Sequence, residues 1–189
     1  MLLSFVIGSI PFGIIIAKTR GVDLKRVGSG NIGTTNVLRA MGKWPAAMTL
    51  LGDALKGTAA VAIGRYLVGG TLYESIAGVS VILGHNFSLF LGFKGGKGVA
   101  TSLGVLLIYA PKAALATAIL WVLVAVFTKY SSLGAIVSFG LLPVNVILLN
   151  YDRTRFFVSL FITLLILLRH RDNIQNLIKG AERKIGGRA

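Results

Sequence analysis

Residues 92–101 read G-F-K-G-G-K-G-V-A-T, four glycines and two lysines that run into an apolar stretch. Glycine lets a backbone bend and approach a ligand closely. The lysines supply positive charge, and a helix starting after the loop offers unpaired N–H groups. These elements suit an anion, above all a phosphate. The loop is not an ATP-binding P-loop, which needs G-x-x-x-x-G-K-[ST]. Only three residues separate Gly92 from Gly96, and Gly98 follows Lys97 where Ser or Thr would stand. A membrane-surface turn with lysines on lipid headgroups is the competing reading, but it needs fewer glycines and lysines than are present.

Two further segments carry polar chemistry. Val27–Arg39, V-G-S-G-N-I-G-T-T-N-V-L-R, sets small polar side chains between glycines and ends in an arginine that can grip phosphate bidentately. Its plainer reading is a turn capping the next helix through Thr35 or Asn36. Arg169–Asn173, R-H-R-D-N, brings His170, which titrates near neutrality in water, and Asn173 three residues on. By itself that segment reads as a basic membrane anchor. Ser132 either meets phosphate or caps a helix. Asp53 and Lys56, at i and i+3 inside an apolar run, predict an inward-facing pair. His85 reads as a second site histidine or, more readily, a satisfied structural one, Glu74 as an outer-surface charge, and Trp44, Tyr109 and Tyr130 as interfacial aromatics.

The chain that positions these groups has 189 residues, 54% hydrophobic and 14% charged; soluble domains carry about 25% charged residues. With no cysteine, thiolate catalysis, thiolate metal sites and disulfides are excluded. Two histidines and six carboxylates are scattered, without H-E-x-x-H or EF-hand spacing, so no metal or cofactor is expected. The net charge of +14 sits in short loops between apolar runs, which points to lipid and an anionic substrate and away from nucleic acid.

Seven apolar segments follow: Met1–Ala17, Trp44–Leu67, Leu72–Leu91, Gly98–Tyr109, Lys112–Thr128, Ser132–Leu149 and Arg155–Leu168. The first lacks a basic leader and a clear cleavage site and reads as a retained helix. The expected fold is all-α, one polytopic membrane bundle of about seven helices over residues 1–189. With the N-terminus outside, fifteen basic residues, Arg188 among them, fall on the inner side. Arg65, Lys112, Arg153 and Arg155 fall outside. That bias predicts a cytoplasmic C-terminus and puts all three polar segments on one side.

The ordered motifs G-S-I-P-F-G (Gly8–Gly13), G-S-G-N-I-G-T-T-N (Gly28–Asn36), G-H-N (Gly84–Asn86), Gly92–Thr101 and R-H-R-D-N-I (Arg169–Ile174) cover nearly the whole chain. Together they resemble the bacterial acyl-phosphate:glycerol-3-phosphate acyltransferase family, PlsY. The resemblance implies a seven-helix protein of the bacterial inner membrane with its site at the cytoplasmic face. It implies acyl transfer from acyl phosphate to the 1-hydroxyl of glycerol 3-phosphate, giving lysophosphatidic acid and inorganic phosphate, the first acylation of phospholipid synthesis. It implies catalytic roles for Ser29, Arg39, Lys97, His170 and Asn173. Substrate or phosphate binding falls to Asn31, Thr35, Asn36, Gly95, Gly96, Gly98, Thr101 and Ser132. Thr34 stands where the family usually has Ala, and Asp172 where it usually has Glu. Acyl phosphate, glycerol 3-phosphate and membrane lipid are the expected partners of a monomer.

Acyl phosphate is already activated, so no covalent enzyme intermediate is required. Acyltransferases that use H-x-x-x-x-D do not fit, since Phe90 and Gln175 stand at that spacing after the two histidines. Nor is there the aspartate cluster of the CDP-alcohol phosphotransferases. A small phosphate or anion transporter is the alternative; it would need a midplane pathway and typically internal repeats, and no repeat is visible.

Overall fold

A computed structural model describes residues 1–150 and 152–186, with no strand among them. Arg188 lies outside the described residues. The helices are α1 Leu2–Ser9, α2 Phe12–Lys18, α3 Thr34–Met41, α4 Lys43–Ile63, α5 Thr71–Asn86, α6 Val99–Tyr109, α7 Pro111–Thr128, α8 Ser131–Gly140, α9 Leu142–Asn150, α10 Arg153–Arg169 and α11 Arg171–Ile178.

Each apolar segment is helical, but not every one is a single rod. Ile10 precedes Pro11 and takes extended backbone, because the proline ring disfavours the helical region for the residue before it. Met1–Ala17 is therefore two helices. Helix α4 runs on through a π-turn at Gly64–Val68, and α5 is followed by a short 3₁₀ turn at Leu89–Leu91. Helices α8 and α9 bend by 44° at their junction. Three described helical stretches are long and apolar enough to cross a membrane alone, four if the bent pair is one span. Helix α6, with 11 residues, is too short to cross.

Small residues bring the helices close, as expected where lipid removes the hydrophobic drive between them. A Cβ at Gly104 of α6 would lie 1.9 Å from the carbonyl oxygen of Ala54 on α4, and one at Gly57 would lie 2.3 Å from that of Thr101. Gly8 and Gly84 close the α1–α5 contact in the same way, each against a backbone carbonyl of the other helix. Val61, Val81, Ile82, Leu106, Phe139, Ile162 and Ile166 fill the centre. Helix α7 stays peripheral and turns Leu115, Ile119, Val126 and Phe127 outward.

Two expectations are corrected. Glu74 is buried, and both its oxygens accept from Arg65 at 2.9 Å; Arg65 also donates to the Ile108 carbonyl. A carboxylate in that setting needs its partner, so this pair ties α4 to α5 and α6. Tyr109 is not interfacial: it is 1% exposed, with its hydroxyl 2.7 Å from that of Ser75.

Candidate active site

The loop before α3, the start of α6, the start of α8, and α11 with the residues after it converge on one cavity of about 380 Å³. Ser29, Asn31, Thr35, Asn36, Arg39, Lys97, Gly98, Ser132, His170 and Asn173 all line it. These residues come from four segments up to 144 positions apart.

Asn36 organises the first segment. Its amide nitrogen donates to the carbonyls of Leu24, Val27 and Asn31, and its Oδ1 accepts from the Ser29 amide at 2.9 Å. With its side chain so engaged, Asn36 shapes the loop and has little left for a ligand. Gly28 has φ +61° there, and a Cβ would meet Asn36 Oδ1 at 2.2 Å. Asn31 Oδ1 accepts from the Gly33 amide in an Asx turn. Neither Thr35 nor Asn36 caps α3: Gly33 holds that position without a side-chain bond. Thr35 Oγ1 instead lies 3.0 Å from Ser131 Oγ on α8.

The glycine loop divides into two parts. The Gly95 and Gly96 amides donate to the carbonyls of Asn86 and His85, and their own carbonyls accept from Arg169. A Cβ at either would strike His85, at 2.0 Å from its carbonyl oxygen for Gly95 and 2.2 Å from Nε2 for Gly96. These two glycines therefore pack the loop onto α5 and do not line the cavity, which corrects their assignment to phosphate. Thr101 is fully buried, away from the cavity, with its hydroxyl unpartnered among the described residues. Lys97 and Gly98 do face the cavity, Gly98 at φ +89° just before α6.

Lys97 Nζ donates to Asn173 Oδ1. Asn173 Nδ2 and Ser132 Oγ both donate to Glu182 Oε1 at 2.7 Å. Ser132 thus faces the cavity and does not cap α8, which carries no side-chain cap bond. Arg39 donates to the carbonyls of Arg183 and Lys184, while its Nε has no partner among the described residues. Burial pulls the Arg39 and Lys97 cations below their ordinary values, opposed in both by the Glu182 carboxylate. His170 sits between α10 and α11, 3% exposed. Burial, then the charge of Lys97, pushes it down to about 4. Its Nδ1 lies 2.8 Å from the Ile166 carbonyl oxygen. A carbonyl only accepts, so Nδ1 carries the proton and Nε2 keeps its lone pair. Asp172 is exposed beside Arg171 and does not line the cavity.

Sequence reasoning missed Glu182, Ser131 and Trp121, and did not place Asp53 and His85 at the cavity wall. Only Glu182 had a signal, as the lone carboxylate in the basic segment after Gly180. Asp53 and Lys56 do pair, at 2.7 Å.

An all-helical membrane protein with a cationic, hydroxyl-rich cavity at one end is the class these features define. A family model described as glycerol-3-phosphate acyltransferase matches residues 1–180, and the chain belongs to that family. A glycerol-3-phosphate acyltransferase of Agrobacterium fabrum is 47% identical, covering 98% of this chain and 90% of its own. One from Rubrobacter xylanophilus is 42% identical over 100% and 95% of the two chains. Crystal structures of PlsY (YgiH), an integral membrane glycerol 3-phosphate acyltransferase, align with TM-score 0.90 in the glycerol 3-phosphate form, at 38% identity, and in the lysophosphatidic acid form, at 37%. Each alignment covers 98% of this chain and 93% of that one.

Proposed function

We propose that the protein transfers a fatty acyl group from acyl phosphate to the 1-hydroxyl of sn-glycerol 3-phosphate, releasing lysophosphatidic acid and inorganic phosphate. The observation that carries this is the Glu182 carboxylate seated on Ser132 and Asn173, beside Lys97 and within the field of Arg39. It is an oxyanion held by the donors that the reading assigns to phosphate. Lys97, Arg39 and the start of α6 neutralise substrate phosphate and stabilise charge as phosphate departs. Ser29, at the cavity mouth, adds a hydroxyl donor.

The acceptor hydroxyl is held against the acyl carbonyl, where it donates to His170 Nε2. Its oxygen bonds the carbonyl carbon, and the carbon–oxygen bond to phosphate breaks with the electron pair leaving on phosphate. His170 Nε2 takes the hydroxyl proton as the carbon–oxygen bond forms and passes it to the departing phosphate, so His170 ends neutral and the step needs no outside acid or base. The apolar wall of Leu50, Val99 and Leu103 suits the start of the acyl chain.

The reading extends to one domain over the whole chain, acting as a monomer in a bacterial inner membrane. It includes seven crossings, an outside N-terminus and a cytoplasmic site. The gathering of basic loops round the cavity supports that orientation.

The test is phosphate release by purified protein given palmitoyl phosphate, with and without glycerol 3-phosphate. Release that requires the acceptor and equals the lysophosphatidic acid formed supports the reading. Phosphate flux across liposomes without acyl phosphate would replace it with transport.

A further inference from the structure

Three buried ionisable side chains lie against the cavity without a part in the scheme above. Lys56 Nζ on α4 is 2.7 Å from Asp53 Oδ1, 2.9 Å from the Ile10 carbonyl oxygen and 2.8 Å from His85 Nδ1 on α5. All three side chains are at least 95% buried, and Asp53 and His85 line the cavity.

An ammonium has three N–H bonds and no lone pair. The Lys56 ammonium donates to the Ile10 carbonyl and is ion-paired with Asp53, so at 2.8 Å His85 Nδ1 must be the acceptor. The 3.5 Å between His85 Nδ1 and Asp53 Oδ1 is too long to compete. His85 is therefore the Nε2–H tautomer. Nε2 lies against Gly96, one residue from Lys97, and meets no hydrogen-bond partner among the described residues. The other charge around the ring is Arg169, fixed on the Gly95 and Gly96 carbonyls. The two cavity histidines thus have opposite tautomers: His170 offers a lone pair and His85 a proton.

The position suits the reacting carbonyl. Leu50, one helical turn before Asp53 on α4, belongs to the apolar wall, and Lys97 to the phosphate end. An acyl phosphate spanning the two sets its carbonyl between them. Resting on the acyltransferase reading, we propose that His85 Nε2–H donates to the acyl carbonyl oxygen, as an oxyanion donor held in its tautomer by Lys56 and Asp53. When the acceptor oxygen bonds the carbonyl carbon, the π pair moves onto that oxygen. When phosphate leaves, the pair returns. His85 keeps its proton throughout, and Lys56 and Asp53 are positioning residues.

The experiment compares kcat and KM of wild type, His85→Leu and His85→Gln with palmitoyl phosphate and glycerol 3-phosphate. Loss of one oxyanion donor should lower kcat about 100- to 1000-fold in the leucine variant, with KM for glycerol 3-phosphate little changed. Glutamine can accept from Lys56 through its oxygen and present its amide N–H to the cavity, and should recover at least tenfold (~1.4 kcal/mol). If the leucine variant fails to fold, His85→Asn takes its place, since the shorter amide satisfies Lys56 without reaching the carbonyl. The proposal is overturned if the leucine or asparagine variant keeps wild-type kcat. It is equally overturned if glutamine is no better while melting like wild type. A wild-type protein that releases no acceptor-dependent phosphate would instead overturn the acyltransferase reading itself.

Discussion

Lys97 carries the largest electrostatic demand in the cavity, because its ammonium is the loop cation nearest Asn173 and Glu182. Lys97→Ala should lower kcat/KM at least 100-fold, about 3 kcal/mol of transition-state stabilisation, measured as acceptor-dependent phosphate release. His170 has a sharper signature. Its folded value lies near 4, below the ordinary 6.5, so it remains neutral through physiological pH. In the folded enzyme only the neutral ring offers the Nε2 lone pair, so its contribution to rate is complete well above the folded value and half lost at it. The difference between wild type and His170→Ala in rate against pH should therefore persist to about pH 5, be half lost near 4 and vanish about one unit lower. A midpoint at 6.5 would contradict the buried, Lys97-facing placement. His170 was legible as a residue in R-H-R-D-N, but its tautomer was not, because the Ile166 carbonyl that fixes it is set by how α10 ends.

At the scale of elements, the glycine loop is a clasp between α5 and α10 as well as a ligand wall. Gly96→Ala should displace the His85 ring, since the new methyl would lie 2.2 Å from Nε2. Activity should fall at least tenfold, and the melting temperature should drop with a cost of about 1–3 kcal/mol, typical of overpacking. Gly98→Ala differs, because φ is +89° and the nearest atom is Asn86 Oδ1 at 2.9 Å. Its strain falls on the start of α6, so KM should rise more than stability falls. The sequence marked this loop as glycine-rich but could not separate packing glycines from the one at the cavity. That division depends on which amides α5 already occupies. Likewise Asn36 sits in an obvious polar run, yet its four hydrogen bonds show a loop organiser.

For the whole molecule, the absence of cysteine makes topology directly testable. Single substitutions Lys25→Cys and Lys112→Cys, both at exposed positions, should label from opposite sides of the membrane. In intact cells only the second should react with an impermeant maleimide, and the reverse pattern would invert the proposed orientation. The sequence by itself determined the all-helical membrane class, the positions of the apolar segments and the three polar segments that form the cavity. Those follow from hydropathy and residue chemistry, which are local. It could not determine the break at Ile10–Pro11 from length alone, the burial of Glu74 and Tyr109, or the meeting of Glu182 with Ser132 and Asn173. Nor could it show that Asp53, Lys56 and His85 stand behind the glycine loop. Those depend on distances between helices far apart in the chain, and only packing at small residues such as Gly57 and Gly104 sets them.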